Sequence, residues 1–198
     1  LGVRRQRQMC IRDSSNPKHP NVSNGKAVVF EGPEDYHKRL NSKKLNIDEN
    51  SVLIVRGCGP VGYPGSAEVI NMQPPDRLLK KGINTLPTLG DGRQSGTSAS
   101  PSILHVSPES AVGGDLGIVK TGDKIKIDLN KRRVDLLISQ AEFKNRRKKR
   151  KKFKINNQTP WQEIFRDTVG QLEDGACIKS RGVYLNVSTS KGIPRDSH

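Results

Sequence analysis

Two glycine-rich segments gather the residues of this chain that could do chemistry. The first, RGCGPVGYPGSAEV, runs from Arg56 to Val69, and the second, LGDGRQSGTSAS, from Leu89 to Ser100. Each follows a short apolar run. Glycine takes left-handed backbone angles and adds no side-chain bulk, so such loops bring main-chain amides close to a ligand. The first segment carries one acid, Glu68, where loop is expected to give way to helix. The second carries Asp91, Arg93, Ser95 and Thr97 within seven residues. Together they have the content of half an active site. By residue type alone each member also has a plainer reading. Ser95 is then a loop serine capping backbone amides, Glu68 an acid at a helix N-terminus, and Asp91 and Arg93 a pair that fixes the loop. Arg93 could instead meet a substrate carboxylate.

The elements around these loops are short. KAVVFEG (Lys26 to Gly32) reads as a strand, followed by a helix near Glu34 to Leu40 that Pro33 is placed to start. SVLIVRG is a buried-strand run. Ser66 to Met72 reads as a helical turn interrupted by Pro74 and Pro75, and Asp76 to Lys81 as helix stopping at Gly82. Strands are expected over Ile83 to Leu89 and Ser102 to Ser107, then a helical turn with Ser107 as N-cap. Ile125, Ile127 and Leu129 alternate with Lys126 and Asp128 as a half-buried strand, and Asn130 to Arg132 turn the chain into VDLLIS. A helix is expected to run from Ser139 through the basic block. Another spans Thr159 to Gly175, with Trp161, Ile164, Phe165, Val169 and Leu172 on one apolar face that must dock here or on another chain. Meandering strands with few helices imply an α+β fold built on a closed or nearly closed β barrel.

Composition narrows the function classes. The 198 residues carry a net charge of +15. Residues 144–154 (KNRRKKRKKFK) hold nine of the cations, and residues 1–14 a further net +3, which leaves +3 elsewhere. The basic run is therefore an appendage on a near-neutral body. Without an aromatic platform beyond Phe153, it reads as a solvated helix face rather than a nucleic-acid site. His105, in an alternating apolar segment, reads as structural. Cys10, Cys58 and Cys177 show no metal-ligand spacing, and no apolar run approaches a bilayer span of roughly 20 residues. A soluble, cytoplasmic setting is the default. The opening LGVRRQRQMCIRDS shows no period and resembles translated adapter sequence, so residues 1–14 are read as a non-native scar. Residues 15–143 are then the barrel domain, 144–157 a basic linker or helix end, and 158–198 a C-terminal helix and tail.

Five segments carry a family likeness: AVVFEGPEDYH, RGCGPVGYPGSAEVINM, TLGDGRQSGTSASPSILHVSPESAVGG, TGDKIKIDL and TPWQEIFRDTVGQLEDGA. Together they resemble the dihydroxy-acid and phosphogluconate dehydratase family. Gln94 and the GCGPVGYPG wording resemble its sugar-acid (arabinonate and xylonate) branch more than the branched-chain enzymes. The resemblance implies a C-terminal domain of the swivelling β/β/α kind, with peripheral and C-terminal helices. It implies a hydro-lyase that turns 2,3-dihydroxy sugar acids into 2-keto-3-deoxy acids, with Mg2+ and an iron–sulfur cluster of the 2Fe-2S type. It makes Ser95 the base, Thr97 a holder of that oxygen or of substrate, and Glu68 a magnesium ligand. Cluster ligands and most magnesium ligands belong to the part of such an enzyme that precedes this segment, so the segment alone is expected to be inactive. Expected partners are the sugar acid, that preceding domain and further copies in a homo-oligomer, with neither membrane nor nucleic acid. A branched-chain dihydroxy-acid dehydratase segment is the alternative, as is a non-catalytic barrel that binds a carboxylate or nucleic acid.

Overall fold

The computed structural model describes residues 10–12, 22–64, 68–94, 101–131, 133–155 and 159–179. Their frame is a curled, mixed seven-stranded sheet, ordered β1-β7-β5-β3-β2-β8-β9. The strands are β1 (Cys10–Arg12), β2 (Val22–Phe30), β3 (Ser51–Val55), β5 (Thr88–Gly90), β7 (Ser102–Leu104), β8 (Lys124–Asp128) and β9 (Arg133–Leu136). The four central strands run parallel, and β1, β8 and β9 join antiparallel. Among the described residues β1 and β9 are edges, so the expected closed or nearly closed barrel is a curled half-barrel. The α+β class stands. Residues 10–12 pair with β7 although the opening segment shows no strand period.

Both faces of the sheet are covered, which explains why SVLIV is apolar at four consecutive positions instead of alternating. Successive residues point to opposite faces. Val28, Phe30, Leu53 and Val55 join Tyr36 and Leu78 in one core, while Val29, Ile54, Leu89 and Ile103 join Ile125 and Ile127 in the other. Helix α1 (Pro33–Arg39) carries the chain from β2 to β3 with Pro33 in its first turn. Tyr36 packs edge-on to Phe30, with ring centroids 5.2 Å apart. Its hydroxyl donates to the Gln73 carbonyl and accepts from the Gln73 amide.

Several expectations are corrected. The turn expected as helix at 66–72 contains a strand, β4 (Glu68–Ile70), paired in parallel with β6 (Arg93–Gln94) in a separate small sheet. Two β-branched residues ahead of two prolines suit an extended chain that finds a partner. Helix α2 is shorter than expected, Asp76–Leu79. Ser107 caps nothing: a 3-10 turn covers Ser110–Val112 with Glu109 at its N-cap, and Gly113 and Gly114 stop it there. Helix α3 (Gln140–Lys148), capped by Ser139, ends inside the basic block, where consecutive like charges cannot support another turn. The three arginines of the basic run are engaged rather than merely solvated. Arg146 pairs with Asp123 and Glu142, Arg147 with Asp115, and Arg150 donates to the Gly113 carbonyl.

Helix α4 (Pro160–Thr168) starts where expected, after Thr159, and the structure adds a capping box between Thr159 and Gln162. It stops seven residues early, because Val169 turns extended and bridges to Ile178. Its apolar stripe is docked only in part within the described residues: Phe165 and Leu172 are half-buried. Trp161 is 78% exposed and Ile164 53%, whereas Val169 is buried.

Candidate functional site

Strands β3 and β5 are parallel neighbours, so the two glycine loops leave the same carboxyl edge of the sheet, the usual place for ligand sites in such sheets. Glycines let them touch. A Cβ on Gly92 would lie 2.6 Å from the Cys58 Cβ and closer still to the Cys58 carbonyl oxygen. Gly57 takes φ +76°, and a Cβ there would meet the Phe153 ring at 2.8 Å. The aromatic residue of the basic run thus lies against the first loop.

Two buried carboxylates hold this arrangement. Asp91 Oδ1 accepts from the Cys58 amide at 2.9 Å, and Oδ2 from the amides of Gly57 (3.0 Å) and Ser110 (2.9 Å) and from the Ser110 hydroxyl (2.6 Å). The loop fixed by Asp91 is therefore chiefly the first one, not its own. Glu109 accepts from the amides of Val61 and Gly62 and from the Gln171 side chain. Burial pushes its carboxyl above the usual range against the pull of those donors. Arg56 ties the edge to the next segment, donating to the carbonyls of Leu116, Gly117 and Val119 and pairing with Glu31.

The sequence-predicted residues fall out unevenly. Glu68 and Arg93 stand opposite each other in the β4–β6 register, so the expected metal ligand and the expected carboxylate binder share one small sheet. Arg93 is exposed and Gln94 buried. Ser95 and Thr97 lie outside the described residues, directly after β6. His105 takes φ +55°, its amide donates to the Gly92 carbonyl, and burial, then the Arg93 charge, holds its imidazole below the ordinary value.

Reasoning from sequence missed Glu109, Ser110, Arg166 and Gln171. The one local signal is the SPES segment ahead of Gly113 and Gly114, where the expected cap is Ser107 rather than Glu109. Among the described residues no group of three or more His, Cys, Asp or Glu could hold a metal ion. Glu68 offers one oxygen donor of the kind magnesium takes. Cys58 does not suit a cluster: it is fully buried, and burial with the nearby Asp91, Glu34 and Glu109 charges pushes its thiol far up, away from the thiolate a metal needs. No described helix is long and apolar enough to cross a membrane.

Comparison with known proteins agrees with the likeness of the loops. Residues 7–176 match the family model described as dihydroxy-acid/6-phosphogluconate dehydratase C-terminal. The D-xylonate dehydratase of Caulobacter vibrioides is 50% identical over 184 residues, 93% of this chain and 31% of that protein. The L-arabinonate dehydratase of Rhizobium leguminosarum bv. trifolii is 46% identical over 136 residues, 69% of this chain and 24% of that protein. A dihydroxy-acid dehydratase of Saccharolobus solfataricus is 38% identical over 125 residues, 63% of this chain and 22% of that protein. The chain thus spans about a third or less of the length of these relatives. With the family model covering most of its length, the chain belongs to the dihydroxy-acid/6-phosphogluconate dehydratase family.

Proposed function

We propose that this chain supplies the C-terminal part of a hydro-lyase that dehydrates 2,3-dihydroxy sugar acids to 2-keto-3-deoxy acids. The observation that carries this reading is the meeting of two glycine loops at one sheet edge, with Glu68 and Arg93 in register on the small sheet that precedes Ser95 in the sequence. Ser95 is assigned as the base that takes the proton from C2, while the hydroxyl on C3 departs. The resulting enol then tautomerises to the keto acid. Thr97 holds the Ser95 oxygen or the substrate, and Arg93 holds the substrate carboxylate by charge-assisted hydrogen bonds. Magnesium and an iron–sulfur cluster would supply the positive charge that acidifies the C2 proton and assists the departing hydroxyl. Toward the magnesium this chain contributes the Glu68 carboxylate, and the remaining ligands belong to the rest of the protein, with which it works in a homo-oligomer. A cytoplasmic setting and the swivelling β/β/α fold type belong to the same reading.

The test is Ser95→Ala in the full-length protein, followed by release of 2-keto-3-deoxy acid from xylonate, arabinonate and gluconate. Loss of a positioned base should lower kcat by about 10²- to 10⁴-fold with the fold intact. A variant within threefold of the unaltered protein would remove Ser95 from the chemistry.

A further inference from the structure

We propose that Glu109, braced by Gln171, is a positioning residue that holds the first glycine loop, and through it Glu68, in register with the second loop; this rests on the dehydratase reading above. The Glu109 side chain is completely buried, and both of its oxygens are used. Oε1 accepts from the Val61 amide at 2.9 Å and from Gln171 Nε2 at 2.9 Å, while Oε2 accepts from the Gly62 amide at 2.8 Å. Gln171 closes the circuit, its Oε1 accepting from the Glu109 amide at 3.0 Å. On the other side of the same stretch, Arg166 Nε donates to the Val61 carbonyl at 2.8 Å. The segment at 61–62 is gripped by its amides from one direction and by its carbonyl from the other.

Packing makes the grip specific. A Cβ on Gly59 would fall 2.5 Å from Glu109 Oε2, and one on Gly62 would fall 2.6 Å from the Gly57 carbonyl oxygen. The glycines thus clear the approach that the carboxylate needs. Only a carboxylate can accept at both ends. A glutamine would aim an NH2 at one of the loop amides whichever way it turned, leaving buried donors unpaired. Taking a carboxylate out of water costs several kcal/mol, so its use here points to a need for a stiff loop. The gripped loop leads on to β4, whose first residue is Glu68. A displacement of about 1 Å at a reacting centre can cost about 100-fold in rate.

The experiment uses the full-length protein as Glu109→Gln and Gln171→Ala beside the unaltered form. It reads kcat and KM for the sugar acid, affinity for Mn2+ by the free-ion EPR signal, and amide exchange at Val61 and Gly62. In Glu109→Gln we expect kcat lower by about tenfold or more with KM nearly unchanged, and Mn2+ held several-fold more weakly. The two amides should exchange at least about tenfold faster. Gln171→Ala removes one bond to the carboxylate and should give a smaller shift of the same kind, and it decides the matter if Glu109→Gln does not fold. Faster exchange with kcat and Mn2+ affinity both within twofold of the unaltered protein would make the grip purely structural and overturn the proposal. Unchanged exchange would overturn it as well. If the unaltered protein dehydrates no sugar acid, the dehydratase reading fails on its own, while Mn2+ affinity and exchange still judge the clamp.

Discussion

Replacing Gly92 by alanine separates steric registration of the two loops from ordinary backbone strain. The added Cβ would lie 2.6 Å from the Cys58 Cβ and 3.0 Å from its carbonyl carbon, and nearer still to the carbonyl oxygen, where ordinary contact begins at 3.4 Å. The loops must therefore part by about 1 Å. Cys58 has nowhere to retreat, being fully buried with its amide held by Asp91 Oδ1 at 2.9 Å. Overpacking of this kind costs about 1–3 kcal/mol, and loosening one hydrogen bond to a buried carboxylate adds about 1.5–3 kcal/mol. A loss of about 2.5–6 kcal/mol follows, together with a fall in kcat of about 100-fold from the displaced loop. Urea denaturation and steady-state kinetics on the full-length protein measure both. Gly82→Ala is the control: Gly82 takes φ +80° but has nothing within 4 Å of an added Cβ. It should lose only about 1–2 kcal/mol of backbone strain and keep its kcat. If Gly92→Ala loses no more stability than Gly82→Ala and keeps kcat within threefold, the loops are not registered through this contact and the reasoning fails.

Two further outcomes follow from the electrostatics. Burial, then the Arg93 charge, holds His105 below its ordinary value of 6.5, which favours its neutral form in the fold. Its contribution is fully present above about pH 6.5 and is lost as the pH falls below that, when the unfolded chain binds a proton that the folded chain refuses. Asparagine tolerates the left-handed angle at this position. His105→Asn should therefore lose less stability between pH 7 and pH 5 than the unaltered protein, and equal losses by urea denaturation would refute the assignment. The Arg146–Asp123 pair is nearly buried, with side chains 12% and 10% exposed. Arg146→Met strands Asp123 and should cost about 3 kcal/mol, whereas Lys148→Ala, on the exposed end of the same helix, should stay within about 0.5 kcal/mol by the same denaturation assay.

What the sequence disclosed follows the range of the interactions. The strands SVLIV and KIKID, the Pro33 start of α1 and the Thr159 start of α4 are set by neighbours a few residues away, and each was readable. The loops were readable as loops because glycine clustering is a local signal. Their bracing was not: Asp91 reaches back 33 and 34 residues to Cys58 and Gly57, and Gln171 bonds Glu109 across 62. No local period marks such partners. Helix lengths failed for a related reason. Thr168 turns its hydroxyl to the Ile164 carbonyl, and the Val169 bridge to Ile178 ends α4 just ahead of Gly170, although the apolar stripe runs on to Leu172 and Gly175 is the expected stop.

The division of labour between the acids explains why residue type alone misled at Asp91. A carboxylate beside an arginine in a polar loop suggests an ion pair, yet Asp91 is fully buried and bound by three backbone amides and a hydroxyl. Such a group is well satisfied where it stands and has little left to offer a ligand. Glu109 is committed in the same way. The proposed magnesium ligand, Glu68, lies instead on the strand paired with Arg93. Buried acids here build the frame. Under the proposed dehydratase reading, substitutions at Asp91 or Glu109 should act through loop position, and substitutions at Glu68 on the magnesium it is proposed to hold.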